Sequence, residues 1–203
     1  MAPGVIIHVI DDDEAIRRSV ESLLRSIDLE ARSYESTRAF LAADLPDAPG
    51  CLLLDVRLPG MSGLDFQSQL ASLGIHLPVL MMTAHGDVPM SVRAMKAGAL
   101  DFLTKPFRDQ DLIDAVSAAI TKDCERREIE ASMTVLRDRY ASLTDREREV
   151  MALVTDGRLN KQAAHDLGLS EITIKLHRGA AMRKMQARTI ADLVKMSEKL
   201  KSR

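Results

Sequence analysis

The feature that most constrains the fold is a fivefold alternation of short apolar runs with amphipathic segments over about the first 120 residues. The candidate strands in this alternation are Val5–Ile10, Glu30–Tyr34, Cys51–Leu54, Val79–Met82 and Leu100–Leu103. The segments between them, which predict helices, are Glu14–Ser26, Thr37–Ala43, Gly63–Leu73, Val88–Ala97 and a helix from Asp109 onward. Strands that alternate with helices favour a parallel sheet covered by helices on both faces. We therefore predict an α/β domain built on a five-stranded, doubly wound parallel sheet.

The distribution of charge and of helix-breaking residues indicates a second domain. Residues 1–123 carry 11 Lys and Arg against 18 Asp and Glu, whereas residues 124–203 carry 17 against 12, so the net charge changes from −7 to +5. All seven prolines lie between Pro3 and Pro106, and no glycine occurs between Gly98 and Gly157. The intervening segment, rich in good helix formers, predicts a helical connector. We predict an α/β domain over residues 1–122, a helical linker over 123–140 and an all-α domain of four helices over 141–203.

Several classes of protein are disfavoured by the sequence. No apolar run approaches the length of a membrane span, and no basic region precedes the short apolar stretch at the N-terminus, so we expect neither a membrane anchor nor a signal peptide. Cys51 and Cys124 lie far apart and lack a metal-type spacing. We expect reduced thiols and a cytoplasmic location.

Polar side chains follow the predicted strands at their carboxyl ends, which share one edge of a parallel sheet. In chain order they are Asp11 and Asp12, Asp55, Thr83 and Lys105. Carboxylates that lie together repel one another unless a cation lies among them, and an all-oxygen ligand set suits Mg²⁺. A carboxylate beside Mg²⁺ and a lysine has the groups that phosphoryl transfer onto the carboxylate requires.

The carboxylates and Lys105 also have plainer interpretations. The acidic trio Asp11–Asp13 is typical of a helix N-terminus, where acidic side chains favour the helix dipole. Asp55 precedes VRLPGMSG, a segment in which an aspartate can cap a turn, and Lys105 can belong to an ordinary loop. The agreement of all these residues on one predicted sheet edge favours phosphoryl transfer.

Four segments resemble, in order, the signature blocks of response-regulator receiver domains: VIDDDEAIR, LLLDVRLPGMSGLD, VLMMTAHGD and GALDFLTKPF. The resemblance covers about residues 5–120 and implies a flavodoxin-like fold. It implies Asp55 as phosphoryl acceptor, Asp11, Asp12, Asp55 and the Arg57 carbonyl as Mg²⁺ ligands, Lys105 and Thr83 as phosphoryl contacts, a cis Pro106, and Thr83 with Phe102 as a switch pair. Arg57 and His85 are expected to flank the path of the hydrolytic water and to lengthen the lifetime of the acyl phosphate. The alternative is that both are solvent-exposed side chains with no effect on hydrolysis.

After Leu143 the pattern predicts helices only. Thr144 and Glu147 form a capping-box pattern, Gly168 favours a tight turn, and Ser170 is placed to cap the next helix. Two helices joined by a short glycine-containing turn are typical of a helix-turn-helix, although any two-helix hairpin shares this pattern. From Ser170 to Arg203 there are nine Lys and Arg against three Asp and Glu, and such basic charge favours binding to DNA phosphates.

Residues 141–200 resemble the LuxR-type helix-turn-helix, and together with the receiver they resemble the FixJ/NarL class of response regulators. The resemblance implies that Lys175, Leu176 and Gly179 face bases, that Asn160, Lys161, Thr173, His177 and Lys184 contact phosphates or orient the reading helix, and that Arg178 reaches a base edge. It also implies a dimer surface on the last helix, Ile190–Leu200.

The expected function is phosphorylation-dependent regulation of transcription in a two-component system, with no enzymatic activity beyond the receiver's own phosphorylation and dephosphorylation. We expect a sensor histidine kinase as phosphoryl donor, a homodimer through the fourth helix and fifth strand, and promoter DNA and RNA polymerase as further partners. The alternative is a phosphorylation-independent regulator whose receiver is a protein-interaction module. An aspartate-nucleophile phosphatase favours a second acid where Arg57 stands, and a small-molecule sensor favours an aromatic-lined pocket, whereas only 3% of the residues are aromatic.

Overall fold

The computed structural model describes residues 4–84, 86 and 88–201 of a chain that divides into two compact units between Arg127 and Glu128. The strands are β1 (Ile6–Ile10), β2 (Glu30–Tyr34), β3 (Gly50–Asp55), β4 (Val79–Thr83) and β5 (Asp101–Thr104). The helices are α1 (Glu14–Ser26), α2 (Thr37–Ala42), α3 (Gly63–Gln69), α4 (Val88–Lys96), α5 (Asp109–Ala141), α6 (Asp145–Thr155), α7 (Asn160–Leu167), α8 (Glu171–Met185) and α9 (Ile190–Lys201). A 3₁₀ turn at Leu70–Leu73 follows α3.

The first unit contains the predicted five-stranded sheet, and all its pairs are parallel in the order β2-β1-β3-β4-β5. The doubly wound, flavodoxin-like fold and the all-α C-terminal region are therefore confirmed. Because Ile10 pairs with Leu54, the next residues of the two strands, Asp11 and Asp55, reach the carboxyl edge of the sheet side by side. That edge is where open parallel sheets bind ligands.

Alternate residues of the strands face two apolar cores, which explains why β1, β3 and β4 are buried throughout. On one face the strands pack against α1 and α5, with Leu24 and Leu112 fully buried. On the other face Phe40 of α2, Phe66 of α3 and Ala94 of α4 cover the sheet. Helices on both faces leave the strand ends as the accessible edge.

A buried ion cluster holds the first half of α5 against the opposite, amino-terminal edge of the sheet. The Asp123 carboxylate is fully buried and accepts hydrogen bonds from the Gly50 N–H at 3.1 Å, Arg126 Nη2 at 2.7 Å and Arg127 Nε at 2.8 Å. Arg127 also pairs with Asp47. Asp123, Arg126 and Arg127 therefore belong to the first compact unit, although they follow the predicted domain boundary at residue 122. The predicted domain limits of 1–122, 123–140 and 141–203 stay a proposal.

The second unit comprises the end of α5 and helices α6 to α9 around two apolar cores. Thr144 Oγ1 accepts from the Glu147 N–H at 3.3 Å and Glu147 Oε2 accepts from the Thr144 N–H at 2.8 Å, which forms the capping box of α6. Gly168 ends α7 with a φ of +65°, a conformation that favours glycine. Ser170 then caps α8 by accepting from the Thr173 N–H at 3.1 Å. These local signals produce a helix-turn-helix from α7 and α8.

Candidate functional sites

Three carboxylates meet at the carboxyl edge of the sheet. Asp11 follows β1 and is fully buried, Asp55 ends β3 and is 6% exposed, and Asp12 is exposed. Each of the three offers one carboxylate oxygen within 4.8 Å of the others. Such an arrangement repels itself electrostatically unless positive charge compensates it.

The third acid of the trio has a different task. Asp13 is the N-cap of α1, and its Oδ1 accepts from the Ala15 N–H at 2.8 Å. The Asp11 carboxylate in turn accepts from the Asp13 N–H at 3.0 Å, while Arg17 Nη1 donates to the Asp11 carbonyl at 2.7 Å. The helix-terminus interpretation therefore applies to Asp13, whereas these contacts fix Asp11 in the cluster.

Lys105, the residue after β5, supplies positive charge. Its Nζ lies 2.5 Å from Asp11 Oδ2 and 3.4 Å from Asp55 Oδ1, and its side chain is only 11% exposed. The peptide bond to Pro106 is cis, as the sequence resemblance implies. The ammonium thus lies between two of the three carboxylates.

The charge balance around Asp55 still favours another cation. Burial raises the pKa of the Asp55 carboxyl; Lys105 opposes this effect and the Asp11 carboxylate adds to it. In the described part of the chain no group donates a well-directed hydrogen bond to the buried Asp55 Oδ1, and Lys105 is within ion-pair distance only. Three carboxylates, with one buried oxygen whose compensation is an ion pair with Lys105, fit a hard divalent cation such as Mg²⁺, which takes oxygen ligands and retains waters.

The predicted switch pair lies beside this cluster. Thr83 ends β4, is fully buried, and its backbone carbonyl accepts from the Lys105 N–H at 2.7 Å. Phe102 of β5 is half-buried. A methyl group built on Gly86 would lie 3.0 Å from the Phe102 ring and 2.6 Å from the Thr104 methyl. Gly86 therefore lies directly against the Phe102 ring of the switch pair.

Arg57 and His85 are the two residues predicted to influence hydrolysis of the acyl phosphate. The Arg57 side chain is exposed, and its backbone N–H donates to Asp55, which lowers the pKa of that carboxyl. His85 lies outside the described residues. The Arg57 carbonyl as a metal ligand and the effect of both side chains on the acyl phosphate stay predictions.

The candidate base-reading residues lie on the solvent side of α8. Lys175 and Leu176 are exposed and Gly179 is partly exposed, while Lys161 at the start of α7 is exposed and His177 is half-buried. The opposite side of α8 is buried in the helical core through Ile174, Ala181 and Met185. The arrangement leaves one face of the second helix available to a groove.

Other predicted DNA contacts hold α8 in place. Arg178 Nη1 donates to Asn160 Oδ1 at 3.0 Å, which joins α8 to the first turn of α7. Lys184 Nζ donates to Glu147 Oε2 at 2.7 Å, which joins α8 to α6. Thr173 shares a hydrogen bond of 2.8 Å with the N-cap Ser170. These contacts support an orienting role for Asn160, Thr173, Arg178 and Lys184.

Comparison with known protein families accounts for both sites. The family profile described as “Response regulator receiver domain” matches residues 7–117, and the one described as “Bacterial regulatory proteins, luxR family” matches residues 141–197. The chain belongs to the response regulators. A response regulator with a receiver and a DNA-binding domain regulates transcription in a two-component system and is not a typical enzyme. Receiver domains bind Mg²⁺ at their acidic pocket, and the cluster of Asp11, Asp12 and Asp55 lies at that place here.

Similar response regulators match this one over nearly its whole length. Nodulation protein W of Bradyrhizobium diazoefficiens is 53% identical over 96% of this chain and 86% of its own. The transcriptional regulatory protein FixJ of Azorhizobium caulinodans is 43% identical over 97% of this chain and 93% of its own. The solved structure of the response regulator StyR is 42% identical with a TM-score of 0.86, covering 97% of this chain and 100% of that one.

The sequence analysis missed three residues of this response regulator that contact a functional site or hold α5 against the sheet. Arg17 contacts a carbonyl six residues earlier, Gly86 lies against the switch pair, and Asp123 is the buried centre of the α5 cluster. Only Asp123 had a readable signal, since an aspartate followed by Arg126 and Arg127 has the spacing of helical ion pairs.

Within the described residues, no helix is both long and apolar enough to cross a membrane.

Proposed function

We propose that this response regulator is phosphorylated on Asp55 by a sensor histidine kinase and then binds promoter DNA as a dimer. The observation that carries the proposal is the buried Asp55 carboxylate, which lies with Asp11 and Asp12 in one oxygen cluster and has the Lys105 ammonium 3.4 Å away. Asp55 Oδ1 has no well-directed hydrogen bond among the described residues, which leaves it available to form a bond.

The residues of the cluster divide the chemistry among them. An Asp55 oxygen forms the new O–P bond while the N–P bond of the kinase phosphohistidine breaks. Lys105 neutralises charge on the transferred phosphoryl oxygens, and the Thr83 hydroxyl donates a hydrogen bond to one of them. Asp11, Asp12, Asp55 and the Arg57 carbonyl would hold Mg²⁺, which when bound supplies further neutralisation of phosphoryl charge.

The response to phosphorylation is a shift of population between two conformations. Thr83 moves toward the phosphoryl group and the Phe102 ring turns inward, which changes the surface of α4 and β5. That surface already carries exposed apolar side chains on one side of α4, namely Val88 at 76%, Val92 at 44% and Met95 at 47% exposure. Their spacing of four and three residues supports α4 and β5 as the dimer interface.

The DNA-binding unit then engages paired half-sites in promoter DNA. Lys175, Leu176 and Gly179 face the bases, Arg178 reaches a base edge when it leaves Asn160, and Lys161 and His177 contact phosphates. RNA polymerase is the expected partner of the bound dimer. Promoter DNA as a ligand implies the cytoplasm as the place of action, in keeping with two free cysteine thiols.

The experiment that tests this proposal is incubation of the full chain with acetyl phosphate and Mg²⁺, followed by intact mass and sedimentation. Wild type is expected to gain one phosphoryl group and to sediment as a dimer, whereas Asp55→Asn is expected to do neither. The matched control is Asp44→Asn, which removes an exposed carboxylate and leaves the cluster intact. Phosphorylation of Asp55→Asn, or a phosphorylated wild type that stays monomeric, contradicts the proposal.

The phosphorylation-independent alternative predicts a different pattern. In that case wild type gains no mass with either acetyl phosphate or a phosphorylated kinase domain, and its DNA affinity equals that of Asp55→Asn. The proposal instead requires a higher DNA affinity for the phosphorylated wild type than for either unphosphorylated protein. Fluorescence anisotropy at fixed salt concentration separates the two, because salt changes DNA affinity by itself.

A further inference from the structure

Two large apolar side chains lie exposed on the reading helix. Ile172 is 71% exposed and Leu176 is 68% exposed. They are four residues apart and therefore share one face of α8. That face is opposite the buried residues Ile174 and Ala181. Isolated exposed apolar side chains are ordinary on protein surfaces, but two on successive turns at the centre of a proposed DNA-reading face require an explanation.

Two polar side chains near this pair, Thr173 and Arg178, are hydrogen-bonded within the fold, and a third, Lys175, faces the bases together with the pair. Thr173 bonds to Ser170, and Arg178 bonds to Asn160. Lys175, between the two apolar residues in sequence, is exposed. A hydrocarbon side chain cannot form the paired hydrogen bonds that identify guanine or adenine in the major groove. The base feature that it can contact favourably is the C5-methyl group of thymine.

We propose that Ile172 and Leu176 select thymine by packing on its methyl groups, so that each half-site carries two thymines close together. This inference rests on the proposed DNA-binding function and specifies what that surface reads. Four residues of helix rise about 6 Å. That length spans at most two base-pair steps of about 3.4 Å, so the two thymines lie within two steps of one another.

Charge argues that the occupant of this face is DNA rather than another protein. From Ser170 to Arg203 the chain carries nine Lys and Arg against three Asp and Glu, and Arg183 lies exposed on the same side of α8 as the apolar pair. An apolar pair set among cations matches a groove that offers methyl groups between two rows of phosphates.

The test begins with selection of binding sites by the full chain from a library of random-sequence duplexes. A duplex of about 30 base pairs is long enough to hold two half-sites one helical turn apart. Each thymine of the enriched site is then replaced by deoxyuracil, which removes only the methyl group. Loss of one buried methyl is expected to weaken binding about fourfold, from the transfer free energy of a methylene. The effect is expected at two thymines per half-site and within the noise elsewhere.

The variants Ile172→Ala and Leu176→Ala assign the methyl groups to side chains. Each variant is expected to bind the thymine and uracil duplexes equally at one position while keeping the fourfold preference at the other. Ile129→Ala is the matched control, because Ile129 is similarly exposed, at 64%, but lies on α5. It is expected to retain the preference at both positions.

The outcomes distinguish this inference from the proposed function. If the chain enriches no sequence and binds no duplex, DNA binding itself is refuted and the inference falls with it. Tight binding to an enriched site in which every uracil duplex equals its thymine parent refutes the inference alone. The same conclusion follows if both alanine variants keep the full preference for thymine.

Discussion

Gly179 offers a test in which folding stability and DNA binding should respond in opposite directions. It lies in the interior of α8, where glycine costs about 1 kcal/mol relative to alanine. A Cβ built at this position meets a single heavy atom within 4 Å, Arg183 Nη1 at 3.6 Å, which is an ordinary contact with the end of a flexible side chain. Packing inside the molecule therefore gives no reason for glycine here, and close approach of the helix backbone to DNA does.

The substitution Gly179→Ala is expected to stabilise α8 by about 1 kcal/mol. Amide hydrogen exchange of α8 peptides in the intact chain reports this directly, and exchange should slow about fivefold, as that free energy implies. The added methyl is expected to weaken DNA binding about fivefold or more, because overpacking of a close contact costs about 1–3 kcal/mol. Fluorescence anisotropy at one salt concentration measures the affinity.

Ala131→Gly is the matched control, since Ala131 is an exposed residue inside α5. It changes the same propensity in the opposite sense, so exchange of the surrounding α5 peptides should accelerate about fivefold while DNA affinity stays unchanged. Faster exchange in Gly179→Ala shows that the glycine is required within the fold. Slower exchange with unchanged DNA affinity shows that the backbone does not approach DNA at this residue.

Three further predictions concern the receiver. Burial, followed by Arg32, lowers the pKa of His8 from 6.5 to about 4, so this imidazole stays neutral in the folded chain while the unfolded chain takes up a proton. The stability that the neutral imidazole contributes is present above pH 6.5 and is lost as the pH falls toward 4, which urea titrations should show as a decrease of about 3 kcal/mol in the free energy of unfolding. In His8→Phe this decrease should be absent. Asp123→Ala should lower the free energy of unfolding by about 3 kcal/mol, because it removes the buried carboxylate that accepts from the Gly50 N–H and from two partly exposed arginines. Asp47→Ala, at the exposed end of the cluster, should change the free energy of unfolding little, and equal effects would contradict this account. Gln67→Met should raise the free energy of unfolding by about 1 kcal/mol, because it removes a buried acceptor oxygen that has no partner among the described residues. The substitution gives up only one long hydrogen bond, from Gln67 Nε2 to the Ala94 carbonyl at 3.4 Å, and Gln69→Met at an exposed position should leave the free energy of unfolding unchanged. A destabilised Gln67→Met would show that this long bond contributes more than the unpaired acceptor costs.

The sheet and its acidic cluster were predictable because they depend on chain order alone. In a parallel sheet the residue after each strand lies at one edge, so Asp11, Asp55 and Lys105 come together wherever the strands pair in register. The periodicity of apolar residues fixed the strands to within about one residue, and the capping residues Thr144 and Ser170 marked helix starts for a local reason.

Contacts between side chains far apart in sequence were not predictable in the same way. Asp123 accepts a hydrogen bond from Gly50, 73 residues earlier, and the periodicity of α5 gives no sign of which strand it meets. Gly86 lies against Phe102, and a residue outside helices and strands has no sequence periodicity that predicts such a contact. Such contacts depend on three-dimensional packing and require coordinates.

The helix-turn-helix shows why a residue's type does not settle its role. Lys175 and Lys184 are both lysines of α8, and residue type alone makes both candidates for phosphate contact. Lys184 instead forms an ion pair with the buried carboxylate of Glu147, which neutralises its charge within the domain. Lys175 lies on the exposed face of α8. Because the polar contacts of α8 lie on its flanks, they fix the orientation of the helix without occupying its solvent face. Sequence discrimination then depends on what that face presents, and at its centre it presents hydrocarbon.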